Sequence, residues 1–266
     1  MSPHIEKQAV AQSFGDAAHD YDLYAKVQHR VAQGLMHLCP NLPNDQPDIL
    51  DLGCGTGYCL PKIAAKYPAA NLLGADLSQG MLEYAKQHYP EFGYQVADAE
   101  DLPFNVNQFD FIFSNFAVQW CDSFLTVLQQ AYKVLKPGGY LLLSTLADGT
   151  LAELKQAWAS VDQHQHVNEF ETADDLEKAV EESGFSVQQL SLQTEFDYYD
   201  TVRGLTDSLK RIGAHNITSG RSKTLTSPGT IKKFKQQLER YRTEEGLPAS
   251  YQVFTCLLQK PMASYQ

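Results

Sequence analysis

Gly53, Gly55 and Gly57 stand at alternate positions directly after the apolar run Ile49-Leu50-Asp51-Leu52. Glycines accept positive φ and let a backbone come close to a ligand. An apolar strand, a glycine-rich turn and a helix opening form the ligand-facing corner of many parallel α/β domains. The spacing is G-x-G-x-G, with the acid Asp51 two residues ahead, and it differs from the G-x-G-x-x-G of dinucleotide-binding loops. A second apolar run, Leu72 to Ala75, ends in Asp76 and Leu77. An acid about 20 residues past such a loop accepts hydrogen bonds from ribose hydroxyls. A third run, Gly93 to Ala97, leads into Asp98-Ala99, and a fourth, Phe109 to Ser114, ends in Asn115-Phe116. The glycine loop alone is equally a plain strand-to-helix turn. Four strand ends in order, each with a polar residue, point to a nucleotide-like ligand bound outside the carboxyl ends of the sheet.

The elements that hold these residues follow from periodicity. Residues 5–38 read as one or two helices, with Val10, Phe14, Ala17, Ala18 and Tyr21 at helical spacing and Val27, Val31, Leu35 and Leu38 after them. Pro40 ends that segment. Strands are predicted at 49–52, 72–75, 94–96, 109–114 and 140–145, with helices at about 57–67, 79–88 and 123–135 between them. Ser78 is the expected N-cap of the second of these helices, and Lys136-Pro137-Gly138-Gly139 the expected close of the third. This alternation implies a parallel sheet with helices on both faces. Further helices are predicted at 151–161, 173–183, 201–212 and 227–243, and strands at 187–198 and 251–259. We read residues 1–266 as a single domain. Its insertions at about 147–172 and 200–249 cap the strand ends.

The loop Asp51-Leu52-Gly53-Cys54-Gly55-Thr56-Gly57, with the acids after it, resembles motif I and its neighbours in the class I S-adenosylmethionine (SAM) methyltransferases. That resemblance implies a Rossmann-like, seven-stranded, mostly parallel sheet whose last strand is antiparallel. It implies SAM as cofactor, held by Asp51, Gly53, Gly55, Gly57, Asp76, Leu77, Asp98, Ala99, Asn115 and Phe116, with Asp98-Ala99 and Met81 beside the adenine. Phe14-Gly15-Asp16-Ala17-Ala18, with Tyr21 and Gln28, is similar to the N-terminal lid (about 5–38) of small-molecule SAM methyltransferases, in which the tyrosine covers the methionine moiety and the glutamine lies nearby. Read without the resemblance, this is a surface helix with two polar residues, and Met81 is an ordinary core methionine. Amino-group methyltransferases carry an Asn/Asp-Pro-Pro-aromatic tetrad after the fourth strand. Asn115-Phe116-Ala117-Val118 lacks both prolines and so disfavours amide or base methylation.

A narrower resemblance rests on Ser114-Asn115-Phe116-Ala117-Val118-Gln119-Trp120-Cys121. It extends through Gly149-Thr150-Leu151, Ala157-Trp158, His166-Val167-Asn168 and Leu209-Lys210-Arg211-Ile212-Gly213-Ala214 to Gly220-Arg221. These segments are similar to the malonyl-[acyl-carrier protein] O-methyltransferases of biotin synthesis. The resemblance implies methylation of the free carboxylate of a malonyl thioester. Tyr21 and Trp120 are expected to close the site, and Lys210 or Arg221 to pair with the carboxylate. A carboxylate is ionised well below pH 7 and needs no strong base. Structural roles for Lys210 and Arg221 remain open.

Composition limits the alternatives. The first 200 residues carry 10 Lys/Arg and 28 Asp/Glu, whereas residues 201–266 carry 11 and 4, within a total of −11. A basic quarter in an acidic chain fits a directed contact with an acidic partner, here acyl-carrier protein; its plainer reading is a set of solvated basic helices. No nucleic-acid-reading motif is evident. No apolar run approaches the roughly 20 residues of a membrane span, and residues 1–12 lack a signal peptide's pattern. Five cysteines without regular spacing argue against a disulfide scaffold and for a cytoplasmic setting. His164 and His166 lack a metal-ligand pattern, so no metal is expected. The competing readings are a small-molecule SAM methyltransferase, such as one acting on a quinone precursor, and a non-catalytic binding protein on the same scaffold.

Overall fold

The structure, a computed structural model, describes residues 6–213 and 227–262. Seven strands form one sheet: β1 (Asp48–Leu52), β2 (Asn71–Asp76), β3 (Gly93–Val96), β4 (Phe109–Asn115), β5 (Leu135–Leu146), β6 (Ser186–Tyr199) and β7 (Leu247–Gln259). Their order is β3-β2-β1-β4-β5-β7-β6. The pairs among β1 to β5 are parallel, and β7 runs antiparallel to both β5 and β6. The order reverses beside β1, at the point where open α/β sheets bind ligands.

Alternation along the strands separates two apolar layers. Ile49, Phe111, Phe113 and Leu142 pack with Ala32 and Leu35 of α3 (Lys26–Leu38) and Ile63 of α4 (Leu60–Lys66). Leu50, Leu52, Ile112, Leu141 and Leu143 pack on the opposite face with α6 (Phe124–Val134) and α8 (Ala173–Glu182). Both layers are apolar because a parallel sheet is covered on both faces. A third cluster lies beyond the strand ends. It joins Leu151 and Leu154, at and within α7 (Ala152–Ala159), to Val202 and Leu205 of α9 (Val202–Arg211), Phe234 and Leu238 of α10 (Pro228–Leu238), and Tyr251 and Val253 of β7.

Side chains fix several helix starts. Ser78 accepts from the Met81 N–H and opens α5 (Gln79–His88), as its sequence position implies. Ser123, Thr172, Thr201 and Ser227 do the same for α6, α8, α9 and α10.

Several boundaries differ from expectation. Strand β7 begins at Leu247 rather than 251, and α10 ends at Leu238 rather than 243. The N-terminal segment forms three helices, α1 (Lys7–Ala17), the single turn α2 (Tyr21–Tyr24) and α3. The glycine turn extends to Cys59, so the helix after it starts at Leu60 rather than near Gly57. Lys136-Pro137-Gly138-Gly139 does not close a helix but lies inside β5. There Leu135 pairs with Phe109 across a register shift, the Gly138 N–H donates to the Lys260 carbonyl, and the Lys260 N–H donates to that of Gly139. Backbone pairing on both sides thus draws a proline-glycine sequence into the strand, with Gly138 at φ +81°.

Candidate active site

The glycine turn is folded back on β2. The N–H groups of Gly53 and Cys54 both donate to the Ala75 carbonyl, at 2.7 and 3.0 Å. Gly53 has φ +73°, and a Cβ there would lie 2.1 Å from the Ala117 Cβ, so only glycine fits. Gly55 has φ +53°, and a Cβ there would meet nothing within 4 Å. Its face opens into a cavity at the carboxyl ends of the strands. Gly57 points away, against Tyr89 and Ala85 of the α5 region.

Two acids flank this turn in different states. Asp76 accepts from the Gly55 N–H at 2.9 Å and the Ser78 N–H at 2.8 Å. Burial raises its carboxyl, and those N–H groups work in the opposite direction. Asp51 lies behind the turn, 2 % exposed, and its Oδ2 has no hydrogen-bond partner among the described residues. Burial, and then the charge of Asp76, push it up to about 8. Burial also pushes the thiols of Cys54 and Cys59 up, which makes them packing residues rather than nucleophiles.

The cavity brings together Tyr21, Gly53, Gly55, Asp76, Leu77, Met81, Asp98, Ala99, Asn115, Phe116 and Trp120. Helix α1 roofs it. Ser78 Oγ donates to the Ala11 carbonyl at 2.6 Å, and Gly15 meets Gly80 so closely that a Cβ on Gly80 would lie 2.8 Å from the Gly15 Cα. The roof is also tied electrostatically: Lys7 Nζ lies 2.5 Å from Asp98 and 2.7 Å from Glu100. Burial pulls the Lys7 ammonium down, but the two carboxylates outweigh it and raise it overall. Lys7 carries no sequence signal, because its partners lie more than 90 positions away.

A second cavity adjoins the first. Phe14, Tyr21, Phe116 and Trp120 line both and form the wall between them. The Phe14 ring meets Trp120 edge-on at 5.3 Å and Tyr21 at 6.2 Å. Burial, with the nearby carboxylates of Asp22 and Asp76, raises the Tyr21 phenol, so it stays neutral. Phe116 is held at φ +52°, a strained conformation for a bulky residue. Its N–H is 3.2 Å from both the carbonyl and the Oγ of Ser144, and that Oγ also donates to Asn115 Oδ1. Gln28 and Lys210 line the second cavity, not the first, although the Gln28 carbonyl accepts from Asn115 Nδ2 at 3.1 Å. Arg221 lies outside the described residues.

The far side of the second cavity is a stack that the sequence did not suggest. His166 lies on Trp158 at 3.6 Å, and Trp158 on Phe234 at 4.1 Å. Asp162 receives the His166 Nε2 at 2.9 Å. Burial raises the Asp162 carboxyl, but the His164 N–H and His166 together bring it below its ordinary value. Outside this cavity Lys232, Lys233 and Lys235 are exposed along α10, while Arg211 pairs with Asp20 and Arg242 with Glu239. Among the described residues no group of three metal-ligating side chains comes together, and no helix is long and apolar enough to cross a membrane.

The model of a methyltransferase domain family (Methyltransf_11) matches residues 50–143, which run from the first strand of the cavity into β5. The malonyl-[acyl-carrier protein] O-methyltransferase of Hahella chejuensis is 39 % identical over 95 % of this chain and 90 % of its own length. The chain belongs to that family. The enzyme of the same name from Methylococcus capsulatus is 37 % identical over 96 % of this chain and 94 % of its own length. The biotin biosynthesis bifunctional protein BioHC of Cellvibrio japonicus is 41 % identical over 98 % of this chain, which spans 52 % of that protein. The chain spans about half the length of such bifunctional relatives. The fold is shared with YcgJ of Bacillus subtilis (TM-score 0.59, 20 % identity, 87 % of this chain and 97 % of that one). It is also shared with a Haemonchus contortus phosphoethanolamine N-methyltransferase solved with S-adenosylhomocysteine (TM-score 0.55, 21 % identity, 88 % and 53 %).

S-adenosylmethionine is the cofactor of this fold, and the first cavity fits it. Gly55 leaves a cradle that a Cβ would fill, and Asp76 lines that cradle. Asp51 lies behind the turn, outside the cavity lining, with its Oδ2 unpartnered among the described residues.

Proposed function

We propose that this protein transfers the methyl group of S-adenosylmethionine to the free carboxylate of a malonyl thioester on acyl-carrier protein, an early step of biotin synthesis. The observation that carries the proposal is the common wall of Phe14, Tyr21, Phe116 and Trp120, which gives a cofactor cavity and an acceptor cavity one shared boundary. When bound, the cofactor supplies a methyl group already activated on a cationic sulfur.

The protein's part is to bind, orient and exclude water. Asp76 receives ribose hydroxyls. Met81 and Ala99 pack on the adenine, beside Asp98. Leu77 and the backbone of Gly53 and Gly55 line the nucleoside. Asp51 and Gly57 shape the turn from behind. Asn115 and the strained Phe116 fix the floor where the two cavities meet, and Gln28 supports Asn115 from the acceptor side. Tyr21 and Trp120 close over the reacting atoms. The acceptor carboxylate is already ionised at neutral pH, so no residue has to remove a proton. Lys210, at the rim of the acceptor cavity, orients it, and Arg221 is a second candidate for that role. The exposed lysines of α10 and their neighbours steer the acidic carrier protein. A cytoplasmic setting agrees with five free thiols.

The test is mass spectrometry of malonyl-carrier protein incubated with the protein and S-adenosylmethionine. One added methyl group, on the malonyl unit, is expected. Cofactor binding without any mass gain would overturn the acceptor assignment.

A further inference from the structure

The acceptor cavity holds two hydrogen-bond acceptors that nothing among the described residues uses. Gln119 and Asn168 both line it. Gln119 Oε1 and Asn168 Oδ1 are both buried without a hydrogen-bond partner among the described residues. The orientation of Gln119 is fixed, because its Nε2 donates to the Phe116 carbonyl at 2.7 Å, which leaves the oxygen as the unsatisfied end. Buried polar atoms are nearly always paired, and a buried acceptor left unpaired is costly. The two residues come from separate parts of the chain, Gln119 from the short 3-10 turn after β4 and Asn168 from the connection between α7 and α8. The rest of the lining is largely aromatic and aliphatic, through Phe14, Leu146, Leu151, Leu154 and Trp158.

An amide oxygen can only accept. The ligand that satisfies it must therefore bring a donor. An ionised malonyl group has none, since its carboxylate and thioester carbonyl are themselves acceptors. A pantetheine-type arm has two secondary amide N–H groups along an otherwise extended chain. We infer that Gln119 and Asn168 form a subsite for the amide N–H groups of a pantetheine-type arm. This rests on the malonyl-thioester reading and goes beyond it: Lys210 orients the carboxylate, and neutral carbonyl oxygens hold the arm. The subsite recognises the carrier by its prosthetic group, independently of the protein surface that carries it. It also ties recognition to the site wall, because the amide that offers Oε1 to the arm holds the carbonyl of the strained Phe116.

The experiment compares kcat/KM for malonyl-pantetheine with that for malonyl S-butyl thioester, which presents the same malonyl group without amides. Wild type should prefer the amide-bearing substrate by about tenfold, the scale of one or two satisfied hydrogen bonds. Asn168→Leu and Gln119→Met should each reduce that preference toward unity, and Asn168→Asp, which keeps an acceptor oxygen, should retain part of it. S-adenosylmethionine binding by equilibrium dialysis shows that each variant is folded. No preference in wild type, or an undiminished preference in both apolar variants, overturns the subsite. If wild type methylates neither thioester, the proposed reaction fails instead, and calorimetry with pantetheine alone then decides the subsite. Binding weakened several-fold by Asn168→Leu supports it, and no binding, or equal binding by wild type and variant, overturns it.

Discussion

The two adjoining cavities are built by different means. The cofactor cavity is made by backbone: glycines at positive φ, a carboxylate held by two N–H groups, and four parallel strand ends. The acceptor cavity is made by side chains, with an aromatic stack, two unpaired amide oxygens and a rim lysine, presented by helices and a loop outside the parallel sheet. Backbone construction tolerates almost no change in residue type, because the chain path itself is the binding surface. Side-chain construction lets the same scaffold take other acceptors by exchanging residues on the cap.

The sharpest way to break this comparison is at Gly53. In Gly53→Ala the new Cβ would meet that of Ala117 at 2.1 Å, in a left-handed conformation. The two penalties together amount to about 3 kcal/mol, and cofactor binding should be lost along with stability. Calorimetric unfolding and dialysis would measure both. Adding Ala117→Gly should return only the steric part. Full tolerance of the single substitution would show that the turn is not the rigid element described.

Next in size is Asp76→Ala, which should weaken S-adenosylmethionine by about 1–3 kcal/mol through unpaired hydroxyls and leave the acceptor cavity unaltered. An unchanged affinity would remove Asp76 from the site.

Asp51 gives a pH signature to one cavity only. Its folded value, about 8, lies above the ordinary 3.8. The neutral form is therefore favoured on folding, so the stabilisation is complete below about pH 4 and is lost as pH rises through about 8. Across that window this group alone should lower stability by up to about 1.4 kcal/mol per pH unit. Comparison of denaturant unfolding of wild type and Asp51→Asn between pH 5 and 8 should show the smaller slope in the variant. Equal slopes would mean that Asp51 is ionised in the folded protein.

The smallest effect concerns the outer surface. Reversal of Lys232, Lys233 and Lys235 to Glu should raise KM for malonyl-carrier protein several-fold, more than for malonyl-CoA, with a defect that shrinks in added salt. Equal effects on both substrates would reduce α10 to a solvated face.

What could be read from the sequence follows the same division. Asp76, Asp98 and Asn115 are placed by strand endings, and strand endings are written locally in apolar runs and turns. Met81 follows from the Ser78 cap one turn earlier. The stack of Trp158, His166 and Phe234 joins three segments with no shared period, so nothing local announces it. Lys7 is invisible for the same reason. The proline-glycine stretch before Tyr140 departs in the other direction: Gly138 keeps a turn-like φ of +81°, yet pairing with Phe109 on one side and Lys260 on the other makes the stretch part of β5. Gln28, which the lid resemblance puts near the methionine moiety, lines the second cavity, and its carbonyl reaches the first through Asn115.

Strand β7 belongs to every layer at once. Leu247, Ala249, Tyr251 and Val253 enter the cluster beneath the cap, Phe254, Cys256 and Leu258 enter one face of the sheet, and Leu257 packs on the other. It is a single beam that runs from the acceptor cavity to the back of the cofactor layer, bonded along both edges to β5 and β6. Among the described residues, the helices beyond the strand ends pack on this same strand. A fluctuation that melts the cap must either pull the beam from the sheet or leave the beam standing with a bare apolar end. Both are costly, so the two cavities share one cooperative unfolding unit although their walls are built so differently.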